Sequence, residues 1–334
     1  MIDRRTFQRG LAGSVAASAI AAVSPIGFDA TALAQGAGGE DRGVAFWREY
    51  RRIALEAQKL NLSVPRFGAG VRKLDDQAML PAITDLLENL ELSAKGLEKP
   101  DPAVEKLLEQ AAGLLRSTVT GDSAPSEGRK DPAMQSLAPS ARPQASKLRS
   151  EYEELFKTCK INSGNQSTVN WYVSKLIDPD NRTRYEAVAN AVCAPWFFIG
   201  IIHAMEAGFN FRGHLHNGDS LKRKTVNIPA GRPKVWEPPH RWEDSAIDAI
   251  KYDHLANLTD WSLALTLYRW ESYNGFRSRL EHNIHTPYLW SFSNHYKSGK
   301  FVRDNVWSDT AVSRQCGAAV MLRVLVDRGI VTNA

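Results

Sequence analysis

Apolar residues recur every three or four positions in three stretches near the N-terminus, which predicts amphipathic helices. The helices predicted here cover residues 44–60, 78–97 and 102–119. Asp101 and Pro102 supply a cap and a first-turn proline for the third of them. This part of the sequence has no cluster of histidine, cysteine or acidic side chains. We therefore predict a small helical region over residues 35–119 that packs on, or positions, the domain that follows.

The next stretch has a different composition. Residues 120–145 are rich in Pro, Ser, Gly and Ala and show no apolar period, which is typical of a linker. Helical periodicity then returns and continues almost to the C-terminus. The helices predicted beyond the linker cover residues 146–156, 167–176, 182–192, 242–258, 261–274 and 309–328, the last capped by Ser308. We predict one larger domain over residues 146–334.

One further helix is apolar on nearly every face. Pro195 suits its start, because a first-turn proline loses no helical hydrogen bond. The large apolar residues that follow are Trp196, Phe197, Phe198, Ile199, Ile201 and Ile202. Such a helix is buried on all sides. Its last turn holds one acid, Glu206, and Gly208 suits the left-handed position beyond it. The helix dipole disfavours an acid at this end, so Glu206 is a candidate functional residue.

The hydrophobic period changes from helical to alternating after this helix. Asn217-Gly218 is a strong signal for a tight hairpin turn. Val226 and Ile228 then alternate with Thr225 and Asn227, as in a strand with one buried face. We therefore predict an α+β fold, in which a small antiparallel hairpin or sheet adjoins a mostly helical domain.

Composition and charge narrow the function little. The chain of 334 residues is 43% hydrophobic and 24% charged, which suits a folded protein with a substantial core. Its formal net charge is +5, and about +4 remains without residues 1–34, which hold three arginines and two aspartates. A mildly basic chain favours an anionic partner, but a cell-wall polymer, nucleic acid and an anionic membrane all meet that condition.

The N-terminus resembles a twin-arginine export signal. Arg4-Arg5 and Phe7 stand in a D-R-R-T-F motif, a weakly apolar run covers residues 10–23, and Ala32-Leu33-Ala34 forms an A-x-A cleavage site. We expect residues 1–34 to be a signal peptide, and the mature protein to be periplasmic or secreted without stable membrane insertion. A short amphipathic helix or an uncleaved anchor is the alternative.

Cysteine and histidine patterns do not indicate a metal site. The cysteines allow at most one disulfide and match no zinc motif, so we expect them in the core: Cys159, Cys193 and Cys316. His214 and His216 form an H-x-H pair that, with Asp219, resembles part of a metal site, but no further ligand is evident nearby. We expect no metal and no other cofactor. His216 is instead predicted to form hydrogen bonds in a substrate groove.

Two acids in different surroundings suit acid–base chemistry. Glu206 lies in an apolar setting, which disfavours a charged carboxylate and raises its pKa, whereas Asp219 is expected on a solvated hairpin where it keeps its charge. Such a pair divides into a general acid and a base, nucleophile or electrostatic partner. Ion pairing of Glu206 with Arg212 and a plain turn role for Asp219 are the structural alternatives.

This arrangement resembles the lysozyme-like superfamily of peptidoglycan hydrolases. In phage lysozymes a glutamate ends a helix, and an aspartate and a threonine follow on the adjoining hairpin; Glu206, Asp219 and Thr225 match them with a D-x5-T spacing. The segments H-L-H-N-G-D-S-L, P-A-G-R-P and Y-L-W-S-F-S-N-H-Y are similar to bacterial "lysozyme family" proteins, over roughly residues 152–329. The interval between Glu206 and Asp219 is longer than in the phage enzymes.

Two further groups are predicted to line the substrate groove. Tyr273-Asn274 resembles the Tyr-Asn motif of lytic transglycosylases, but the Gly-Leu-Met-Gln segment of those enzymes is not found, which favours hydrolysis. Glu271 is a reserve candidate for the second carboxylate. Aromatic rings beside amide groups suit sugar binding, although a buried cluster has the same composition. The candidates of this second group are Tyr288, Trp290, Asn294 and Tyr296.

The resemblance implies cleavage of the peptidoglycan glycan backbone. Glu206 would protonate the leaving oxygen, Asp219 would stabilise the transition state or activate water, and Thr225 would hold that water. We therefore predict a peptidoglycan glycoside hydrolase of the muramidase type, with an amino-sugar polysaccharide rather than nucleic acid as partner. The alternatives are a lytic transglycosylase that uses Glu206 alone, a non-catalytic cell-wall binding module, and chitin or chitosan as the substrate.

Overall fold

Helices dominate the fold, as the hydrophobic periodicity predicts. The computed structural model describes residues 42–65, 76–97, 101–120, 142–227, 229–303 and 306–332. The predicted export signal and most of the predicted linker lie outside these residues. Because one small antiparallel sheet accompanies the helices, the α+β class is confirmed.

The elements follow one another in a simple order. The helices of the described residues are α1 (Arg42–Lys59), α2 (Met79–Lys95), α3 (Pro102–Thr120), α4 (Ala145–Lys157), α5 (Gln166–Ile177), α6 (Pro179–Val192), α7 (Trp196–Ala207), α8 (Trp242–Tyr252), α9 (Leu263–Asn274), α10 (Arg277–His282), α11 (Pro287–Trp290) and α12 (Ala318–Asp327). The strands β1 (Lys300–Arg303) and β2 (Val306–Ser308) pair antiparallel. Most of the predicted helices are confirmed, and Asp101 caps α3 by accepting a 2.8 Å hydrogen bond from the Ala103 N–H.

Helix α7 lies inside the helical assembly, as its composition predicts. All its residues are buried except Trp196 at its start and Glu206 in its last turn. It contacts α3, α5, α6 and α12. Pro195 is its N-cap rather than its first helical residue, because its backbone is still extended. The surrounding helices therefore hold Glu206 at the one end of α7 where a polar side chain reaches the surface.

The N-terminal helices pack directly on the end of α7. Gly208, at φ 56°, ends this helix in the left-handed conformation, as predicted. A side chain there would lie 2.8–2.9 Å from Val119 and Leu115 of α3 and from Leu80 of α2. Thr84 of α2 also donates a 3.2 Å hydrogen bond to the Gly208 carbonyl. Helices α2 and α3 therefore form one wall around the C-terminus of α7.

The predicted hairpin strand after α7 is wrong. The described part of this segment has one isolated bridge, between Gly213 and Ser220, and no strand at residues 225–227. Thr225 is buried and Val226 is 55% exposed, the reverse of the predicted alternation. The cause is the Asp219 carboxylate, which accepts hydrogen bonds from the Val226 and Asn227 amides and turns the chain inward. Ile228 lies outside the described residues.

Two predicted helices are too long. Helix α8 ends at Tyr252 instead of residue 258, because His254 has a left-handed backbone at φ 57°. Ser308 belongs to β2 and does not cap the last helix, which begins at Ala318 instead of residue 309. Residues 309–317 instead form hydrogen bonds with distant loops, including Gly317 N–H to the Ser291 carbonyl at 3.1 Å.

All three cysteines lie within the described residues and are free thiols. Cys159 and Cys316 are buried as predicted, but the prediction for Cys193 is wrong, because it is exposed where it ends α6. Among the described residues no single helix has the length and apolar character needed to cross a membrane; α6 and α7 reach that threshold only as a pair bent by 116°.

Candidate active site

Glu206 is partly exposed at the end of a buried helix. Its neighbours Met205 and Ala207 are buried, and the Gln315 side chain donates a 2.9 Å hydrogen bond to the Met205 carbonyl. The phenol of Tyr288 donates a 3.1 Å hydrogen bond to Glu206 Oε1. Tyr288 is itself positioned by α11, where its N–H meets the capping hydroxyl of Thr286. The Tyr288 phenol therefore orients the carboxyl of the partly exposed Glu206, and Gln315 holds the backbone one residue earlier.

Tyr273, in the last turn of α9, belongs to the same site. Its phenol donates a 3.3 Å hydrogen bond to the Leu215 carbonyl. Burial, followed by the charges of Asp253 and Glu206, raises the pKa of Tyr273 well above its ordinary value. Burial and the neighbouring Glu206 charge raise the pKa of Tyr288 in the same way. Both phenols therefore stay protonated near neutral pH and serve as hydrogen-bond donors.

Asp253 was missed by the sequence prediction. It follows the last residue of α8, is partly exposed, and its charge acts on both Tyr273 and Tyr288. The predicted helix over residues 242–258 placed this acid inside a helix, whereas the structure ends the helix at Tyr252.

Asp219 is buried and engaged in structural hydrogen bonds. Its side chain accepts bonds from the Val226 N–H at 2.9 Å and the Asn227 N–H at 2.8 Å. It also accepts bonds from the Asn227 side-chain amide at 2.7 Å and from Arg116 of α3 at 3.3 Å. At 2% exposure, this carboxylate is not the solvated one that the sequence predicts. Its contacts hold the loop closed around it.

The turn that carries Asp219 lies against the end of α7. This turn, residues 213–220, is closed by the His214 N–H, which donates to the Asp219 carbonyl at 2.7 Å. Gly218 approaches so closely that a side chain there would lie 3.1 Å from the Glu206 carbonyl. Its φ of 74° also favours glycine. The predicted pair is therefore close in space, although Asp219 contributes to the packing of the turn.

Thr225 is also buried, and its hydroxyl is used in hydrogen bonds within the chain. Its hydroxyl donates to the Pro229 carbonyl and accepts a 2.9 Å bond from the Arg232 N–H. Its backbone N–H donates to the Arg232 carbonyl at 2.7 Å. The side chain thus closes the loop that joins the Asp219 turn to α8.

The two histidines are fully buried and bond to α8. His214 accepts from Ser245 at 2.7 Å and donates to the Arg223 carbonyl at 2.8 Å; burial lowers its pKa to about 4. His216 Nε2 lies 2.8 Å from Asp248 Oδ2. Burial raises the pKa of Asp248, but the interactions with His216 and Arg232 outweigh burial, so the pKa lies below its ordinary value. Both histidines attach the Asp219 turn to α8.

Only part of the predicted groove lining gathers at Glu206. Tyr288 contacts the carboxyl, and Asn274 is exposed at the end of α9 beside Tyr273. Trp290 is fully buried. Tyr296 is buried, and its phenol bonds to the Gly299 carbonyl at 3.1 Å and the Ser313 N–H at 3.1 Å.

Asn294 and Glu271 bond away from Glu206. Asn294 is exposed, and its side chain accepts a 2.7 Å hydrogen bond from the Lys160 N–H. Glu271 is fully buried in a two-pronged ion pair with Arg279, at 3.0 Å for each contact, and also accepts a 2.7 Å bond from Tyr152. Both sets of contacts join distant parts of the chain.

The described residues hold no group of three or more His, Cys, Asp or Glu side chains arranged for a metal ion. The polar groups that the fold collects are instead Glu206, Asp253 and the phenols of Tyr273 and Tyr288. Comparison of this chain with protein-family models, with curated proteins and with solved structures gives no significant match.

Proposed function

We propose that this protein cleaves glycosidic bonds in an amino-sugar polysaccharide, with peptidoglycan as the substrate and Glu206 as the general acid. The observation that carries the proposal is the partly exposed Glu206 carboxyl at the end of a buried helix, held by the Tyr288 phenol at 3.1 Å. A positioned carboxylic acid of this kind protonates the leaving oxygen as the C1–O bond breaks. The expected export signal agrees with a substrate outside the cytoplasm.

The protonated phenols support this role. Tyr288 orients the Glu206 carboxyl, and Tyr273 stands nearby with its hydroxyl directed at the Leu215 carbonyl. Tyr288 is buried, whereas Tyr273 is partly exposed and offers aromatic surface and a hydroxyl group, the combination that binds pyranose rings. Asn274 adds an exposed amide beside Tyr273.

A lytic transglycosylase is the second candidate. It is favoured by the Asp219 carboxylate, which is 2% exposed and accepts four hydrogen bonds, and so is poorly placed to activate water. In that reaction Glu206 alone acts, first as acid and then as base, and the sugar's own hydroxyl closes an anhydro ring.

Digestion of peptidoglycan sacculi tests the proposal. We expect the wild-type protein to release muropeptides and Glu206→Gln to release about 10²- to 10⁴-fold less, the range for loss of a general acid. Glu153→Gln, on the exposed surface of α4, is the matched control and should keep full activity. Mass spectrometry separates hydrolysis from anhydro-sugar formation, which differ by one water. Binding of sacculi without any cleavage would contradict the proposal and indicate a binding module.

A further inference from the structure

The C-terminal end of α8 is anchored beside Leu215 and His216. Asp248 of this helix accepts hydrogen bonds from His216 at 2.8 Å and from Arg232 at 3.0 Å. One turn later, the ring of Tyr252 lies 6.5 Å from the His216 ring and 4.8 Å from the Arg232 guanidinium. The last turn of α8 is therefore held against this part of the chain by a charge network and by ring contacts.

These contacts place the end of α8 beside the segment that accepts the hydrogen bond of Tyr273. Tyr273 donates its hydrogen bond to the carbonyl of Leu215, the neighbour of His216. Asp253 therefore follows a helix end that packs where the Tyr273 phenol is bonded. The electrostatics agree with this placement. Burial is the largest cause of the raised pKa of both phenols, and the second largest is the Asp253 charge for Tyr273 and the Glu206 charge for Tyr288. The charges of Glu206 and Asp253 therefore both act on each of the two phenols.

Exposure to solvent distinguishes Asp253 from Asp219, the acid that the sequence predicts as the partner of Glu206. Glu206, Asp253 and Tyr273 are partly exposed, whereas Asp219 and Thr225 are 2% and 3% exposed. A group that reacts with substrate or water must be reachable from solvent. Asp253 meets this condition, and the buried Asp219 does not.

We propose that Asp253 is the second carboxylate of this site, a role that rests on the proposed function. As Glu206 gives its proton to the glycosidic oxygen, the C1–O bonding pair leaves with the departing sugar and positive charge develops at C1. The Asp253 carboxylate stabilises that charge and takes a proton from a water whose oxygen bonds to C1. One water is consumed, and solvent returns the proton from Asp253 to Glu206.

Kinetics on sacculi or on a soluble N-acetylglucosamine oligomer test this role. Asp253→Asn should lower kcat by about 10²- to 10⁴-fold without changing the thermal unfolding midpoint. Asp244→Asn, at an exposed aspartate of α8, is the control and should leave kcat unchanged. Formate or azide should restore part of the activity of Asp253→Ala, because a small anion can replace a missing carboxylate that reacts, but not one that only supports the fold.

A second measurement does not depend on turnover. Carbodiimide and glycine ethyl ester label accessible carboxyls, and peptide mass spectrometry locates them. We expect Glu206 and Asp253 to be labelled, an N-acetylglucosamine tetramer to protect both, and Asp219 to stay unlabelled. Protection of Glu206 alone, or full kcat in Asp253→Asn while Glu206→Gln is inactive, would overturn the role of Asp253 and leave the proposed function intact. Absence of both cleavage and protection in the wild type would overturn both.

Discussion

The phenol of Tyr288 donates a 3.1 Å hydrogen bond to Glu206 Oε1 across 82 residues of sequence. This bond connects the short helix α11 to the acid at the end of α7. A hydrogen bond to a charged group contributes about 1.5–3 kcal/mol, and 1.4 kcal/mol corresponds to about tenfold in rate. We therefore expect Tyr288→Phe to lower kcat on soluble oligosaccharide by about ten- to a hundredfold, with little change in KM.

Tyr296→Phe is the matched control for that variant. Its phenol is also buried, but it bonds to Gly299, Ala311 and Ser313 rather than to Glu206. Removal of this hydroxyl should lower the free energy of unfolding and leave kcat unchanged. Equal kcat values for the two variants would contradict the role of Tyr288 in orienting the acid.

The variant Asp219→Asn distinguishes a structural role of Asp219 from a catalytic one. The amide cannot accept all four hydrogen bonds, and its N–H₂ group faces donors. We expect the free energy of unfolding in urea to fall by about 3 kcal/mol, as for loss of a buried charged hydrogen-bonding group. The folded variant should keep kcat within about one order of magnitude, because the bonds of Asp219 end within the loop and at Arg116. Unchanged stability with lost kcat would instead support the original assignment of Asp219 as catalytic.

Glu271→Gln should destabilise the fold more than a substitution that breaks an exposed ion pair. The variant removes the fully buried, two-pronged partner of Arg279, which keeps its bond to Glu151, and breaking a buried ion pair costs about 3–5 kcal/mol. Glu281→Gln breaks the partly exposed pair with Arg277 and should cost less than about 1 kcal/mol. Urea unfolding measures both losses. Similar losses in the two variants would contradict the structural role of Glu271.

Acid should weaken the fold through two buried histidines. Burial lowers the pKa of His214 to about 4 and of His203 to about 3. Unfolded histidine titrates near about 6.5, so below that pH the unfolded chain binds protons that the folded chain refuses. Stability therefore falls as pH decreases, by about 2 kcal/mol per histidine between pH 7 and pH 5.

Urea unfolding at pH 7, 6 and 5 measures this dependence. His214→Gln should lower stability at pH 7 and reduce the pH dependence by about half, because one of the two proton-binding sites is gone. A free energy of unfolding that is constant from pH 7 to pH 5 would rule out the neutral buried histidines.

Gly208→Ala tests how tightly the N-terminal helices enclose the end of α7. Gly208 and Gly329 both have positive φ, at 56° and 65°, but only the first has neighbours within 4 Å of the added carbon. Gly329→Ala should cost about 1–2 kcal/mol of left-handed strain alone. Gly208→Ala should lose a further 1–3 kcal/mol, about the cost of overpacking against Leu80, Leu115 and Val119. Equal losses in urea unfolding would show that α2 and α3 yield easily.

Local patterns predicted the parts of the fold that depend on neighbouring residues. The apolar run from Trp196 to Ile202 predicts a buried helix, and Gly208 predicts where it ends, because periodicity and left-handed conformations are properties of a few consecutive residues. The hairpin prediction failed at Thr225 and Val226 because a single side chain, Asp219, binds the amides that a strand would have used.

The sequence by itself determined the helical class, the bounds of most helices and the position of Glu206 at the end of α7. The tertiary structure decided which groups meet that acid: Tyr288 lies 82 residues away, and Arg116 reaches Asp219 across 103. It also buried Asp219 and left Asp253 partly exposed. The reason is physical: helix formation depends on contacts three and four residues apart, whereas the exposure and partners of a carboxyl depend on which distant surfaces pack around it.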